Sequence, residues 1–186
     1  MNKYAIEKEL NEWDNRVIYD MKFHKENAPY ITYLNKLLED SMGQFSIIAA
    51  NTEALVYKIG RHFISQGIKN SQITFIDGKI VESYINEEEP EWKKKNRIDD
   101  FFEIFGEDCK NKWVIIPFIE CEFSIGESFY FISQFRKYKA SGIIFSADGE
   151  NNLTENLSMN MTSNSFCEFP VKKYRRRVRR IKDDIY

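Results

Sequence analysis

The 186-residue chain is 42% hydrophobic and 15% aromatic, and its formal net charge is −2. This length and composition predict one packed domain, and they exclude a disordered protein and a disulfide-rich secreted one, because only three widely spaced cysteines occur. With only two histidines and no CxxC pair, the sequence predicts no bound metal, and no other cofactor is expected. The lack of a long apolar run predicts no membrane span, and the lack of an apolar leader predicts a cytoplasmic protein.

Two helical patterns occupy the first forty residues. Ile6, Leu10, Trp13 and Val17 are spaced four, three and four residues apart, so they form one apolar stripe on an amphipathic helix. A second helix is predicted over residues 30–38.

A strand and a helix follow these patterns. Residues 45–50 are apolar and predict a strand, after which Asn51 or Thr52 is a candidate N-cap for a helix that ends near Gly67. The buried face of this helix is predicted to consist of Leu55, Val56, Ile59, Phe63 and Ile64.

The middle of the chain alternates between strand and helix patterns. Residues 72–78 predict a second short strand that ends in a turn at Asp77-Gly78. Residues 86–97 are densely charged and indicate a surface excursion. A helix over residues 98–105 is expected to end at Gly106.

The remaining elements continue the alternation. Residues 113–116 are continuously apolar, as a central parallel strand covered on both faces requires. A helix over 129–138 and a strand over 142–146 follow, then a polar connection over 149–165 with about one helical turn, and a last strand over 166–169. This order predicts an α/β fold, a three-layer sandwich with a mainly parallel five-stranded sheet.

Four segments carry a family resemblance by their order and spacing. They are Asp99–Phe105, Trp113–Ile119, Phe129–Phe135 and Gly142–Asp148. They resemble the bacterial chromosomal replication initiator and its regulatory relatives in the AAA+ class of P-loop NTPases, the DnaA/Hda group. In that family a helix of the form F-x-x-x-F precedes a strand ending in two aspartates, and a phenylalanine-rich helix and a strand ending in Ser-Asp come next. The resemblance implies a P-loop NTPase fold whose lid domain is reduced to one C-terminal helix.

The chain departs from this family at the positions that handle ATP. The family's phosphate loop is rich in glycine and carries a Lys-Thr pair, whereas residues 45–57 contain neither glycine nor lysine. Pro117 and Phe118 replace the two acidic residues that would organise Mg²⁺ and the attacking water. The arginine that would reach a neighbour's γ-phosphate falls near Asn164 or Ser165. These three losses predict a protein that is not an enzyme and does not hydrolyse ATP.

Other polar residues have both a catalytic and a structural interpretation. Glu120 and Glu122 follow the third predicted strand and could replace the lost acids, but two solvated loop carboxylates are favoured, because no phosphate-binding lysine accompanies them. His62 is expected to border the core rather than to act as a base. Cys121 is expected to be a buried thiol, since no basic partner is near it in the sequence.

Residues 171–186, the C-terminal segment, differ in charge from the rest of the chain. The segment holds eight basic and two acidic residues, a net charge of +6, which leaves −8 for residues 1–170. An apolar stripe of Tyr174, Val178, Ile181 and Ile185 predicts an amphipathic helix. The candidate nucleic-acid-binding or partner-binding residues are its cations, Lys172, Lys173, Arg175, Arg176, Arg177, Arg179, Arg180 and Lys182. Docking on the acidic domain, binding to nucleic-acid phosphates, and a membrane-surface or nuclear-import role are the alternatives for this helix.

These observations predict a degenerate AAA+-like domain over residues 1–170, followed by the basic helix 171–186. The expected function is that of a regulator or adaptor that binds a protein partner in DNA replication, with DNA binding and homo-oligomerisation open. The alternative is a nucleic-acid-binding protein that acts through the C-terminal segment. A third hypothesis is an enzyme whose nucleotide site is rebuilt at Glu120 and Glu122.

Overall fold

The computed structural model describes residues 34–35, 45–50, 52–85, 90–147, 152–160 and 166–169. The strands within these ranges are β1 (Ser46–Ala50), β2 (Ile73–Phe75), β3 (Trp113–Ile119), β4 (Gly142–Ala147) and β5 (Phe166–Phe169). The helices are α1 (Glu53–Ser65), α2 (Gly78–Tyr84), α3 (Glu91–Cys109), α4 (Ile125–Lys137) and α5 (Leu153–Asn160), with a 3-10 turn at Asn70–Gln72. None of the helices in this part of the chain combines the length and the apolarity needed to cross a membrane.

The strands run parallel in one sheet, in the order β2-β3-β4-β1-β5. The connection from β1 to β2 crosses the sheet in one direction, and the later connections cross it in the other direction. Because parallel crossovers are right-handed, α1 lies on one face of the sheet and α2 to α5 lie on the other. The predicted α/β class with a parallel sheet is confirmed.

Two hydrophobic cores follow from the alternation of side chains along the strands. Ile48, Ile115 and Ile144 belong to the core on the α1 face, and Ile47 and Val114 belong to the core under α2 to α5. The α1 residues predicted to be buried pack in the first core, with Leu55, Val56, Ile59 and Phe63 buried and Ile64 partly buried. Both faces of the sheet are therefore covered, which explains the continuous apolar runs in β1, β3 and β4.

The N-terminal helical patterns are described only at two residues. Leu34 and Asn35 are helical, and Leu34 is buried in the core on the α1 face. The rest of both predicted N-terminal helices lies outside the described residues. The predicted boundary at residue 170 and the predicted C-terminal helix also lie outside them.

A cluster of phenylalanine rings joins α3 to α4 in the second core. The Phe102 and Phe135 centroids are 4.7 Å apart and nearly perpendicular, and the Phe131 and Phe135 centroids are 5.1 Å apart in the same edge-to-face arrangement. Phe101 contacts Phe102 at 5.0 Å. Aromatic pairs favour these geometries, so the phenylalanine-rich pattern of these helices serves their packing.

The helix predicted over residues 98–105 is longer in the structure. It begins at Glu91 and continues to Cys109, so residues 91–97 of the predicted surface excursion over 86–97 are helical, and Gly106 does not end the helix. A Cβ atom on Gly106 would lie 2.5 Å from Cε1 of Tyr138. Gly106 is thus explained by the close approach of Tyr138 to α3, and not by a helix end.

Strand β3 extends past its predicted end at residue 116. It continues to Ile119 and therefore includes Pro117 and Phe118. Proline cannot donate to a sheet, and the pairing of β3 with β4 shifts in register between Ile116 and Ile119. The irregularity lets the strand continue through Pro117.

Candidate functional site at the carboxyl edge of the sheet

The turn from β1 to α1 is the position at which a parallel α/β sheet binds phosphates. Only Asn51 separates the end of β1 from Thr52, the N-cap of α1. The Thr52 hydroxyl accepts a hydrogen bond from the Leu55 amide at 3.3 Å, and its carbonyl oxygen accepts from Leu55 at 3.0 Å and from Val56 at 3.3 Å. Thr52 was one of the two predicted N-caps, and this prediction is confirmed.

The first turn of α1 is also negatively charged. Glu53 follows Thr52 directly, and its carboxylate interacts favourably with the positive end of the helix dipole. A phosphate loop inserts several residues between strand and helix and carries a lysine. At this turn the chain supplies a short connection, a threonine cap and a carboxylate, an arrangement that repels a phosphate.

The end of β4 places a polar group beside this turn. Ser146 pairs with Ala50 of β1 in the sheet register and is fully buried. Within the described part of the chain, its hydroxyl has no hydrogen-bond partner. An unsatisfied buried hydroxyl costs about 1–3 kcal/mol of folding free energy, so Ser146 weakens the sheet at this edge.

A cleft of about 890 Å³ runs along β2, from Asp108 and Lys112 before the start of β3 to Glu120 after its end. We call it the edge cleft, because β2 is a terminal strand of the sheet. Its lining comes from α1, β2, α2, the end of α3 and the residues at both ends of β3. Four aromatic side chains contribute to it, and they are Tyr57, Phe75, Phe105 and Phe118. Tyr57 and Phe75 stack with their ring centroids 5.4 Å apart, which gives the cleft a rigid apolar part.

The cleft also depends on α2, which the sequence patterns did not predict. Asp77 and Gly78 were predicted to form a turn, but Asp77 is the N-cap of α2 and accepts a hydrogen bond from the Lys79 amide at 3.0 Å. The predicted strand 72–78 is correspondingly reduced to β2. Glu82 of α2 accepts a hydrogen bond from the Glu120 amide at 2.8 Å, so α2 is attached to the chain that leaves β3.

The charges that line the edge cleft are unbalanced. The lining contains five carboxylates and two lysines, which gives it a formal charge of −3. The carboxylates belong to Glu53, Asp77, Glu82, Asp108 and Glu120, and the lysines are Lys79 and Lys112. Such a lining repels phosphates and attracts cationic groups, and its aromatic part binds apolar ones. The arrangement therefore suits a basic ligand that also has an apolar side.

The structure separates the two acids that were considered as a rebuilt nucleotide site. Glu120 lines the edge cleft, whereas Glu122 is exposed and is not part of the lining. Among the described residues, no group of three or more His, Cys, Asp or Glu side chains could hold a metal ion. Both Glu120 and Glu122 are exposed, which agrees with the favoured interpretation that they are solvated carboxylates.

His62 borders the core and Cys121 is buried, as predicted. His62 is partly buried on α1, and its Nε2 lies 2.8 Å from Oδ1 of Asn35. Cys121 and Cys109 are both buried thiols. Burial, with a smaller effect of the neighbouring Asp108 carboxylate, raises the pKa of Cys109 to about 12, so this thiol stays protonated at neutral pH.

A buried polar network was not predicted from the sequence. Asn156 of α5 donates to the Phe123 carbonyl at 3.2 Å and to the Ser128 hydroxyl at 3.0 Å. Ser124 and Glu127 form a capping box at the start of α4 beside this network. The spacing of Ser124 and Glu127 could have indicated the helix start, but nothing in the sequence indicates the partners of Asn156.

The eight basic residues predicted to bind nucleic acid or a partner, Lys172 to Lys182, all lie outside the described residues, so the structure does not place them. Comparison with known proteins also supplies no assignment, because no protein-family model matches the chain and no curated protein sequence matches it.

Proposed function

We propose that this protein is an ATPase-inactive, AAA+-like binding module that acts as a regulator or adaptor linked to DNA replication. The observation that carries the proposal is the turn between β1 and α1. Thr52 caps the helix with its own oxygens, and Glu53 adds a carboxylate where the family binds a phosphate. Loss of this site favours a function based on binding to another macromolecule, and not on nucleotide turnover.

The position of Pro117 and Phe118 supports the same conclusion. Both residues lie within β3, and Pro117 is buried. Neither side chain can ligate Mg²⁺ or polarise a water molecule. The family part of the proposal is supported by the parallel sheet and by the order of the phenylalanine-rich helices α3 and α4, and it is an argument by resemblance.

Nucleotide binding by the purified full-length chain tests the first half of the proposal. We expect titration calorimetry with ATP and Mg²⁺ to show no binding tighter than about 1 mM, or about 4 kcal/mol, and phosphate release to stay at the level of the buffer. The matched variants are Glu120→Gln and Glu122→Gln. If the chain binds ATP at micromolar concentration and hydrolyses it, and if these substitutions abolish the hydrolysis, the rebuilt site is supported and our proposal is refuted.

The replication half requires identification of the partner. We expect affinity purification of the full-length chain from its native cells, with cross-linking and mass spectrometry, to enrich proteins of the replication assembly. The variant Ile104→Glu serves as a control, because Ile104 is an exposed apolar side chain on α3 that could bind unrelated proteins non-specifically. Repeated enrichment of partners that have no part in replication would refute this half.

A second candidate function is nucleic-acid binding through the C-terminal segment, and its net charge of +6 favours it. Replacing Arg175, Arg176, Arg177, Arg179 and Arg180 by Gln in the full-length chain tests it. We expect a weaker affinity for duplex DNA and a salt slope reduced by about 0.9 for each lost phosphate contact. An unchanged affinity and salt slope would contradict this function.

A further inference from the structure

We propose that the edge cleft binds an extended segment of a partner protein, which pairs with β2 as an added strand and carries both basic and apolar side chains. The inference rests on the proposed function in one respect, because it gives the binding module a protein partner. It does not require that partner to act in replication.

The cleft follows the outer edge of β2. Residues 73–76, which are β2 and the residue after it, all line the cleft, although successive side chains of a strand point to opposite faces of the sheet. A cavity on one face would contact only alternate residues. The lining also includes Tyr57 of α1 and Phe105 of α3, and these two helices cover opposite faces of the sheet. The cleft is therefore a groove between the two helical layers, and the edge of β2 is its floor.

The backbone of β2 directs hydrogen-bonding groups toward this floor. The Ile76 amide donates to the Ile115 carbonyl at 2.9 Å, so the amide of Ile76 points toward β3. Backbone groups of successive strand residues alternate in direction, and the amide and carbonyl of Phe75, which faces Ile115 in the register, therefore point away from β3. Backbone groups along the edge of a sheet are a template for another strand. An extended peptide can use them, whereas a helix cannot.

The length of the cleft suits a peptide better than a small cation. From Asp108, before β3, to Glu120, after its end, the cleft follows the seven residues of β3, which span about 23 Å. Carboxylates thus lie at both ends of the cleft. A small cation would occupy only one end, whereas an extended chain of about seven residues reaches both.

Both walls of the cleft combine a carboxylate with apolar surface. Glu53 and Tyr57 belong to the α1 wall, and Ile80, Phe105 and Asp108 belong to the opposite wall. Ile80 is exposed and Phe105 is partly exposed, although both side chains are apolar. The side chains of an added strand alternate between the two walls, so the partner segment needs basic and apolar residues on each side. The formal charge of −3 repels an acidic segment.

Selection from a displayed library of random dodecapeptides on the full-length chain tests the chemistry of the partner. We expect the enriched peptides to carry about three or more Lys or Arg within about eight positions, in alternation with apolar residues. Proline should be absent between them, since it cannot donate to a neighbouring strand. Enrichment of acidic or proline-rich peptides, or no enrichment over the bare support, would overturn the proposal.

Charge reversal locates the binding of the best selected peptide. Asp108→Lys and Glu120→Lys together change the formal charge of the lining from −3 to +1, and we expect them to weaken binding about tenfold or more. Glu103→Lys and Glu122→Lys together change the charge of the chain equally, but both residues are exposed and lie outside the lining. This control should change the affinity less than about twofold, with thermal melting used to verify that all variants fold. Equal effects of the two double variants would overturn the site.

Amide hydrogen exchange distinguishes strand addition from contacts of side chains alone. We expect the peptide to slow exchange of the Phe75 amide about tenfold or more, because an added strand accepts its hydrogen bond, and to leave the amides of α5 unchanged. An N-methyl group on a central amide of the peptide should weaken binding about tenfold. Binding without protection of Phe75 would overturn strand addition. A peptide that binds in the cleft supports the inference even where affinity purification enriches no replication protein, so the failures of the two proposals are distinguishable.

Discussion

Substitution of Gly78 by alanine tests the contact between α2 and β3 that shapes the edge cleft. A Cβ atom on Gly78 would lie 1.4 Å from the Phe118 carbonyl oxygen and 2.6 Å from its carbon. Carbon and oxygen atoms that are not bonded approach to roughly 3.3 Å, so the start of α2 must move by about 2 Å. That movement also stretches the 2.8 Å hydrogen bond between Glu82 and the Glu120 amide.

We expect Gly78→Ala to lower the free energy of unfolding by about 2–4 kcal/mol. Overpacking contributes about 1–3 kcal/mol and the weakened hydrogen bond about 1 kcal/mol. Helix propensity alone would instead stabilise by about 1 kcal/mol, so the sign of the change is itself diagnostic. Urea unfolding gives the free energy, and the melting temperature should fall by about 5–15 °C.

The control for Gly78→Ala is Ser83→Ala on the same helix. Ser83 is exposed, and its hydroxyl donates only to the Ile80 carbonyl within α2. We expect the control to change the free energy by less than about 0.5 kcal/mol. If Gly78→Ala stays within the same range, α2 does not lie against Phe118, and the described cleft is wrong.

Further outcomes are expected at three residues. Asn156→Ala should lower the free energy of unfolding by about 2 kcal/mol in urea, because the Phe123 carbonyl and the Ser128 hydroxyl lose their donor. Asn156→Asp should destabilise more above the pKa of the new carboxyl group than below it, because only the protonated group can donate. An equal loss of stability at both pH values would argue against this reason. Ser146→Ala should stabilise the chain by about 1 kcal/mol, since it removes an unsatisfied buried hydroxyl, and destabilisation would indicate a hydrogen bond of that hydroxyl. Cys109 should react with a thiol reagent at pH 8 only after unfolding. The pKa of Cys109 is about 12 in the folded chain and 9.0 ordinarily, so its contribution to stability is complete below pH 9 and is lost as the pH rises to 12. Cys109→Ala should abolish this loss of stability between pH 9 and pH 12.

Much of the site was predictable where the signal is local. Thr52 was recognised as a cap, and the lack of glycine and lysine after β1 was visible in consecutive residues. The acidic residue Glu120 was noted, but its place in a cleft was not, because the other lining residues come from distant parts of the chain. A cleft is a property of packing, and no single segment encodes it.

The sequence by itself determined the presence and order of the strands, the start and end of α1, and the absence of glycine and lysine from residues 45–57. Caps, apolar periodicity and glycine at a positive φ, as at Gly67 with φ of 97°, act within a few residues, so their patterns can be recognised directly. Only the tertiary structure decided the length of α3, the existence of α2 and the shape of the edge cleft. Gly106 and Gly78 resemble a helix end and a turn in the sequence, but their role is to let Tyr138 and Phe118 approach the backbone, and contacts between residues so far apart arise only when the chain is folded.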